Sequence, residues 1–435
     1  MQEVCIIGNG IAGSTLALSL SASKKFKVHL ISEEADFFFS RTALMYVYMG
    51  HLTLKQTEPY ERGLWNNSAI NRIRGRVTAL NRDAKHLKID EHSRGPRLLN
   101  YDILVIATGS KPRILDWPNS HLKGISGLYH LTDLEKIESY TQSHKQCKNA
   151  LVVGGGLIGV ELAEMLHSRK IDVKILIREP LFWSSVLPDT DALLVQKHLE
   201  SRGVEIVSNT EIKGFLTHDD LHVSGVQLSD NSRLEAQFVG VSIGVEPNIS
   251  FLKESGLEMN QGVLVNEHLQ TSDKSIFAIG DCAELRQSDL KRRALEPVWY
   301  VARKMADALS EHLINGPFTY VQGHWFNSAK FFDLEYQTYG QVSNSTKRKN
   351  SEQHFHWHNT KMTKGLTLAY EAHSRLFLGV NAFGIRLKQG AFEHWLDQSA
   401  SIDTVIKELE TAHFDTEFSK NYTKELRHAF ISNNS

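Results

Sequence analysis

The stretch Val4-Cys5-Ile6-Ile7-Gly8-Asn9-Gly10-Ile11-Ala12-Gly13 decides the fold. A short apolar, β-branched run suited to a buried strand passes straight into G-x-G-x-x-G, and an Ala/Leu-rich stretch suited to a helix follows. In such a strand-turn-helix unit the first glycine permits a tight turn, the second lets the backbone approach a pyrophosphate, and the third lets helix pack on strand. The pyrophosphate then rests on the amides of Gly10, Ile11, Ala12 and Gly13, at the positive end of the helix. The next apolar run, Val28 to Ile31, closes on Ser32-Glu33-Glu34, where a carboxylate can accept both hydroxyls of an adenosine ribose. Position favours Glu33, with Glu34 as the alternative.

The same order recurs between Ala150 and Leu166. Leu151-Val152-Val153 leads into Gly154-Gly155-Gly156-Leu157-Ile158-Gly159-Val160-Glu161, and a second apolar strand follows at Val173 to Ile177. Two βαβ nucleotide units are expected, and so an α/β fold. Leu98 to Val105 has the character of strands returning to the first sheet and ends at Ala107-Thr108-Gly109. Ser275-Ile276-Phe277-Ala278-Ile279 is one more buried strand, closing on Gly280-Asp281 before a helix from Val298 to Leu313. The first domain is therefore expected to be discontinuous, residues 1–115 with 245–318, and the second to occupy 116–244. Residues 319–435 change character to alternating aromatic segments such as Phe331-Phe332-Asp333-Leu334-Glu335-Tyr336 and then amphipathic helices, which predicts a third, α+β domain.

The 435 residues are 41% hydrophobic and 23% charged, a composition that can bury several cores. Lys plus Arg (49) nearly cancels Asp plus Glu (50), so no global field draws the chain to nucleic acid or to an anionic membrane. No apolar run approaches the roughly 20 residues that span a bilayer. The opening strand carries no signal-peptide pattern, and a cytoplasmic protein is expected. Cys5, Cys147 and Cys282 show neither disulfide nor redox-pair spacing, and no metal-ligand pattern organises the 21 histidines.

Several of these motifs, taken in order, resemble the FAD-dependent pyridine nucleotide-disulfide oxidoreductase superfamily. Thr108-Gly109 and Phe277-Ala278-Ile279-Gly280-Asp281 resemble its two further FAD signatures, and Leu295-Glu296-Pro297-Val298 opens a helix as it does there. The resemblance implies a glutathione-reductase-like arrangement of two three-layer Rossmann-like domains with a C-terminal domain. It also implies FAD on the first glycine loop, with Ala107, Thr108, Gly109, Gly280 and Asp281 around it and Asp281 bonded to the ribityl chain. The helix-start N–H groups that follow Pro297 and Val298 would face the flavin's pyrimidine end and stabilise reduced flavin.

The second loop, Gly154, Gly156, Leu157, Ile158 and Gly159, resembles the superfamily's NAD(P)H loop, and Gly244 completes that cofactor set. Glu161 has two readings: the family position beside nicotinamide and flavin, where it would be catalytic, or a first-turn acid complementing the helix dipole. After the second strand Arg178 falls where Glu33 falls in the first unit. An acid there suits the 2'-hydroxyl of NADH and an arginine the 2'-phosphate of NADPH, so the position leans to NADPH, with Glu179 as ribose acceptor in the NADH case.

The electron acceptor is the open question. The segment Phe37 to Tyr46 contains no cysteine, so a thiol relay has no residue to carry it. Instead Phe39-Ser40-Arg41 with Leu44 resembles the rubredoxin and ferredoxin reductase branch and apoptosis-inducing-factor-like flavoproteins, although Thr42 replaces the usual Pro and Met45-Tyr46 stand where a lysine is usual. Arg41 is a candidate phosphate or flavin contact. The branch implies a small electron-transfer protein as partner, no membrane span, and a homodimer. Trp325, Phe331, Phe332 and Tyr336 are either the flavin's outer wall or plain core. His354, His356 and His358 alternate with Phe355 and Trp357, which predicts a solvated histidine face beside a core face rather than a metal site. Two other functions compete: a type II NAD(P)H:quinone dehydrogenase, disfavoured by Asp403, Glu408 and Glu410 among the apolar C-terminal residues, and a redox-sensing binding module.

Overall fold

The structure, a computed structural model, describes residues 1–67, 69–113, 115–142, 145–288, 292–414 and 417–434. Along the chain, the elements that position the candidate sites begin with β1 (Gln2–Ile7), α1 (Ile11–Ser23), β2 (Phe26–Ser32), β3 (Ile70–Asn81), β4 (His86–Glu91), β5 (Gly95–Asn100) and β6 (Ile103–Ile106). They continue with β7 (Asn149–Val153), α2 (Leu157–Ser168), β8 (Asp172–Leu176), α3 (Asp189–Ser201), β9 (Ile276–Ala278) and α4 (Trp299–Asn315). Last come β10 (Phe326–Phe331), β11 (Leu334–Gly340), β12 (Glu352–His358), β13 (Gly365–Glu371) and β14 (Phe377–Phe383). The chain divides into two compact units, Met1–Ile114 with Tyr129–Leu134 and Gly244–Gln322, and Leu115–Leu128 with Glu135–Ile243 and Gly323–Ser435.

In the first unit a seven-stranded sheet runs β9-β6-β1-β2-β3-β4-β5. Pairing is parallel from β9 through β3 and antiparallel from there to β5. Val4, Cys5 and Ile6 are fully buried because β1 lies between two parallel neighbours and is covered on both faces, which explains a continuous apolar run where a half-exposed strand would alternate. Helix α1 packs against α4, and its buried Leu16, Ala17 and Leu20 join the core of that sheet. Burial of each such leucine stabilises by about 2 kcal/mol before entropy is subtracted. The strand β9, 170 residues after β6 in the chain, pairs with it register for register from Ile276↔Leu104 to Ala278↔Ile106.

The second unit holds a parallel five-stranded sheet in the order Glu205–Val207, β8, β7, Phe238–Val241, Ile125–Ser126. It also holds a five-stranded antiparallel sheet, β10-β11-β14-β13-β12. One face of that sheet is covered by the C-terminal helices through Phe392, Trp395, Val405, Leu426 and Phe430. Residues of the other face meet α3 and the segment after β8: Phe331 is edge-on to Phe182 and Trp183, and Tyr336 is edge-on to Trp183 and stacked on Phe383. Phe331 and Tyr336 are thus core residues of this unit.

Within the aromatic segment 331–336 the chain turns back at Phe332-Asp333, with Phe332 at φ 57°, and β10 pairs antiparallel with β11. One expectation is corrected here. The histidine face of β12 is not solvated. The His354 side chain is buried against Glu352 at 2.7 Å, and His356 Nδ1 lies 2.8 Å from Thr367 Oγ1, so only His358 stays exposed. Asp191 of α3, 3.8 Å from His356 Nδ1, lies on the side that period-two alternation alone assigns to water. Among the described residues no group of three or more metal-ligating side chains comes together, and no helix is long and apolar enough to cross a membrane.

Candidate functional site

In the first unit the glycine loop is forced by sterics. Gly8 sits at φ 109°, and a Cβ there would lie 2.2 Å from Ala107 O; one on Gly13 would lie 1.9 Å from Gly8 O. Gly10 differs, with open space around its missing side chain, and it caps α1 without offering a side-chain hydrogen bond. The first-turn amides of α1 are therefore left for an external acceptor. Asn9 and Ser14 brace the loop: Asn9 Nδ2 donates to Ala35 O at 2.7 Å and Ser14 Oγ to Asn9 O at 2.8 Å. A narrow cleft opens beside it, lined by Asn9, Leu30, Ser32, Asp36, Arg72 and Arg74.

The two ribose candidates have different surroundings. Glu33 is largely exposed, 3.9 Å from Arg76 Nε, whereas Glu34 is bound to Arg41 Nη2 at 2.5 Å and to the Leu131 amide at 2.8 Å. Burial works against the charge on Glu34, but hydrogen bonds from His130 and Arg41, with the Arg41 charge, hold its carboxyl down at about 2. Arg41 also donates to Tyr129 O at 2.7 Å and lies over the Tyr129 ring at 4.7 Å. Arg41 and Glu34 thus fix each other, and neither is spare.

At the other end of β6, Thr108 Oγ1 is buried without a partner and Gly109 turns at φ 64°. Next to them Ser110 Oγ donates to Asp281 Oδ2 at 2.9 Å, and burial raises the Asp281 carboxyl above the ordinary aspartate range. Gly280 also has a positive φ, 74°. Val298, behind Pro297, starts α4 with no side-chain cap, so this helix too has open amides. The residue before it, Glu296, is locked in a buried pair with Arg292 at 2.5 Å.

The second unit repeats the first loop nearly atom for atom. Gly154 has φ 111°, and a Cβ there would lie 2.4 Å from Ser242 O; one on Gly159 would lie 2.3 Å from Gly154 O. Gly156 caps α2 in open space without a side-chain bond, ahead of Leu157 and Ile158. Ser242 Oγ donates to Gly154 O at 3.0 Å, a brace the sequence did not announce. Gly155 faces Ile177, 2.7 Å from its would-be Cβ, with Phe182 at 3.5 Å, so the segment after β8 lies along this loop. Arg178 is strongly exposed, 3.8 Å from Glu211. Gly244 falls in the first unit, at φ 102°, where its carbonyl accepts from the Arg113 amide at 3.0 Å.

Glu161 is the fifth residue of α2, and the first turn carries no acid, so the helix-dipole reading has no geometric basis. Burial, with the nearby Glu164 charge, pushes its carboxyl up to about 8. That shift favours the protonated, neutral form. The three thiols are free and fully buried, and burial raises Cys5 to about 12, Cys147 to about 11, and Cys282 above its ordinary value. Burial thus disfavours the thiolate form at all three positions.

The residues missed at the level of sequence are Asn9, Arg72, Arg74, Tyr129, Ser110 and Ser242. Asn9 and Ser110 occupy unmarked positions beside motif glycines, Tyr129 and Ser242 lie outside any local motif, and only the alternation of Arg72 and Arg74 with buried Ile73 along β3 marks that pair.

A pair of loops in which a Cβ would strike backbone, each before a helix with uncapped amides, defines a protein that holds two dinucleotides. The profile of the pyridine nucleotide-disulphide oxidoreductase family matches residues 2–306, and the chain belongs to that family of oxidoreductases, whose cofactors are FAD and NAD(P)H. Over 287 residues it is 31% identical to putidaredoxin reductase CamA of Pseudomonas putida, covering 65% of this chain and 67% of that protein. Over 295 residues it is 29% identical to nitrite reductase [NAD(P)H] of Bacillus subtilis, covering 66% of this chain but 35% of that protein, so the chain spans about a third of that relative's length. Its fold is that of a NAD-dependent persulfide reductase from A. fulgidus, with a TM-score of 0.86 at 21% identity over 99% of this chain and 83% of that one. Both cradles fit the family's cofactors: uncapped helix amides suit diphosphates, and the orphaned Thr108 hydroxyl lacks the partner a bound group could supply.

Proposed function

We propose that this protein is an FAD-dependent NAD(P)H oxidoreductase that delivers electrons to a small ferredoxin-type redox protein without a cysteine relay. The observation that carries the reading is the duplicated glycine cradle, Gly8 against Ala107 with Gly13 against Gly8, repeated as Gly154 against Ser242 with Gly159 against Gly154. When bound, FAD accepts hydride from the nicotinamide and releases electrons to the acceptor. The α1 amides with Gly8, Gly10, Ile11, Ala12 and Gly13 hold the flavin's diphosphate, Glu33 takes the ribose hydroxyls, and Ala107, Thr108, Gly109, Gly280 and Asp281 hold the ribityl side. Arg41 acts indirectly, as a brace for Glu34 and Tyr129. The uncapped start of α4, after Pro297 and Val298, would offer partial positive charge to a reduced flavin.

In the second cradle Gly154, Gly156, Leu157, Ile158 and Gly159 hold the nicotinamide nucleotide's diphosphate. Exposed Arg178 is available to a 2'-phosphate, which favours NADPH. Glu161, held neutral, is the catalytic candidate that can offer or accept a hydrogen bond beside the reacting ring without adding charge. The ferredoxin-type acceptor is favoured by the likeness to putidaredoxin reductase and to the ferredoxin reductase component of a chlorobenzene dioxygenase, and the burial of all three thiols supports a route without a disulfide shuttle.

The test is anaerobic reduction of the purified yellow protein by NADPH and by NADH, followed by oxidation with a ferredoxin, a rubredoxin, a quinone, a disulfide or oxygen. The expected result is fastest reoxidation by the iron-sulfur protein, unchanged after alkylation of accessible thiols. Preferential disulfide reduction abolished by alkylation, or a colourless protein that refuses FAD, overturns the reading.

A further inference from the structure

The second unit carries a run of cations that nothing above uses. Lys347-Arg348-Lys349 lie consecutively on an exposed turn before β12, and among the described residues none of the three side chains has an ion-pair partner. Three like charges side by side repel one another, and such a group is stabilised when an anion arrives. The turn is held in place. Asn344, itself buried, accepts at Oδ1 from the Lys347 amide at 3.1 Å and from Thr346 Oγ1 at 3.2 Å, while its carbonyl accepts from the amides of Lys347 and Arg348. On the far side Ser343 is pinned to Glu352 through its amide at 2.9 Å and its hydroxyl at 2.7 Å.

What the turn is fastened to gives it a meaning. Asn344 Nδ2 donates to Ser184 O at 3.0 Å. Ser184 belongs to the segment that follows β8: its amide and hydroxyl bond back to Leu181 O, and Phe182 in the same turn lies beside Gly155 of the second glycine loop. That segment begins with Arg178, the residue placed above at the 2'-position of the adenosine ribose. Buried Asn344 therefore fixes three unpaired cations to the stretch of chain that also carries Arg178. A phosphomonoester near two negative charges takes more than one cation to hold in water, and one arginine in solvent is weak.

We propose that Lys347, Arg348 and Lys349 form a second cation cluster for the 2'-phosphate of NADPH, acting with Arg178, so that nucleotide choice is set jointly by the nucleotide domain and the C-terminal sheet. The inference rests on the NADPH reading given under the proposed function. An acidic protein docking on the same turn is the competing use, and the experiment separates them.

The test uses the FAD-loaded full chain and two non-reacting probes, 2',5'-ADP and 5'-AMP, titrated calorimetrically at low and at high salt. The variants are Lys347→Gln/Arg348→Gln/Lys349→Gln and, separately, Arg178→Ala. The triple variant is expected to weaken 2',5'-ADP roughly tenfold or more at low salt, to leave 5'-AMP within about twofold, and to flatten the salt dependence. Unchanged 2',5'-ADP binding in the triple variant, with a loss in Arg178→Ala, overturns this inference and leaves the NADPH reading standing. Native protein that binds both probes equally removes the NADPH reading and this inference with it. A triple variant with normal 2',5'-ADP binding but a raised KM for the ferredoxin-type acceptor assigns the turn to protein docking and also overturns it.

Discussion

Glu161 shows how one side chain can carry information that its letter hides. Its carboxyl titrates near 8 in the folded chain against an ordinary value of 4.5, so the folded state holds its proton over a range where the unfolded chain releases it. Stability contributed at this position is therefore intact below about pH 4.5 and is lost as pH rises from there to about 8, by at most roughly 1.4 kcal/mol per pH unit. Glu161→Gln should melt like the native protein at acidic pH and well above it at pH 9, and thermal denaturation at both values checks the sign. A difference that does not grow with pH removes the buried, neutral acid. The same variant keeps a hydrogen-bonding amide but cannot release a proton. A fall in hydride transfer of about tenfold or more in Glu161→Gln would therefore mark proton transfer as its contribution, whereas near-native rates leave it a positioning role. Asp281 follows the same sign, since burial raises it while Ser110 holds it in place.

At the scale of elements, the strand-loop-helix units are set by close contacts between backbones. Gly13 lets α1 lie so near β1 that a Cβ would sit 1.9 Å from the Gly8 carbonyl, and Gly159 does the same for α2 at 2.3 Å. Gly13→Ala must push α1 off the loop, costing about 2 kcal/mol and tilting the amides that face the flavin diphosphate. Purified Gly13→Ala should carry markedly less FAD than native protein, measured by flavin absorbance per chain, and should also melt lower, whereas Gly10→Ala, with no protein atom near its Cβ, should lose FAD through the methyl's clash with the diphosphate while the apoprotein melts like native. Native FAD content in Gly13→Ala would mean that the third glycine is not needed for the diphosphate. Gly159→Ala should leave FAD content unchanged and weaken the nicotinamide nucleotide.

On the scale of the molecule, sequence-distant residues are joined by buried polar contacts that no periodicity announces. Asp191, in the first turn of α3, accepts from Thr367 Oγ1 at 2.5 Å and from Asn381 Nδ2 at 2.9 Å, and Tyr336 OH reaches Asn381 Oδ1 at 3.2 Å. His356 Nδ1 stands 3.8 Å from the same carboxylate. This network ties α3 to β13 and β14, and removing its acceptor strands two buried donors. Asp191→Ala should lose about 2 to 3 kcal/mol, read as a lowered denaturation midpoint of the C-terminal sheet, with FAD content in the first unit retained. Loss below about half a kcal/mol would show that the network is incidental to the sheet's attachment.

The glycine spacing after apolar runs determined by itself that this chain is an α/β protein with two dinucleotide cradles, because a phosphate-binding turn is a local object whose sterics depend on neighbours in the chain. The absence of a cysteine near Phe37 to Tyr46 was equally local and excluded a relay through that segment. Only the tertiary structure decided which of two adjacent acids is spare: Glu34 is claimed by Arg41 and Leu131, partners 7 and 97 residues away, and Glu33 is not. It also decided that burial raises the Glu161 carboxyl, that His354 and His356 on β12 are held by side-chain partners while His358 stays exposed, and that a basic turn is pinned to Ser184 by Asn344, 160 residues on. Charge state and partnership depend on burial by residues remote in the chain, and no window of sequence contains them.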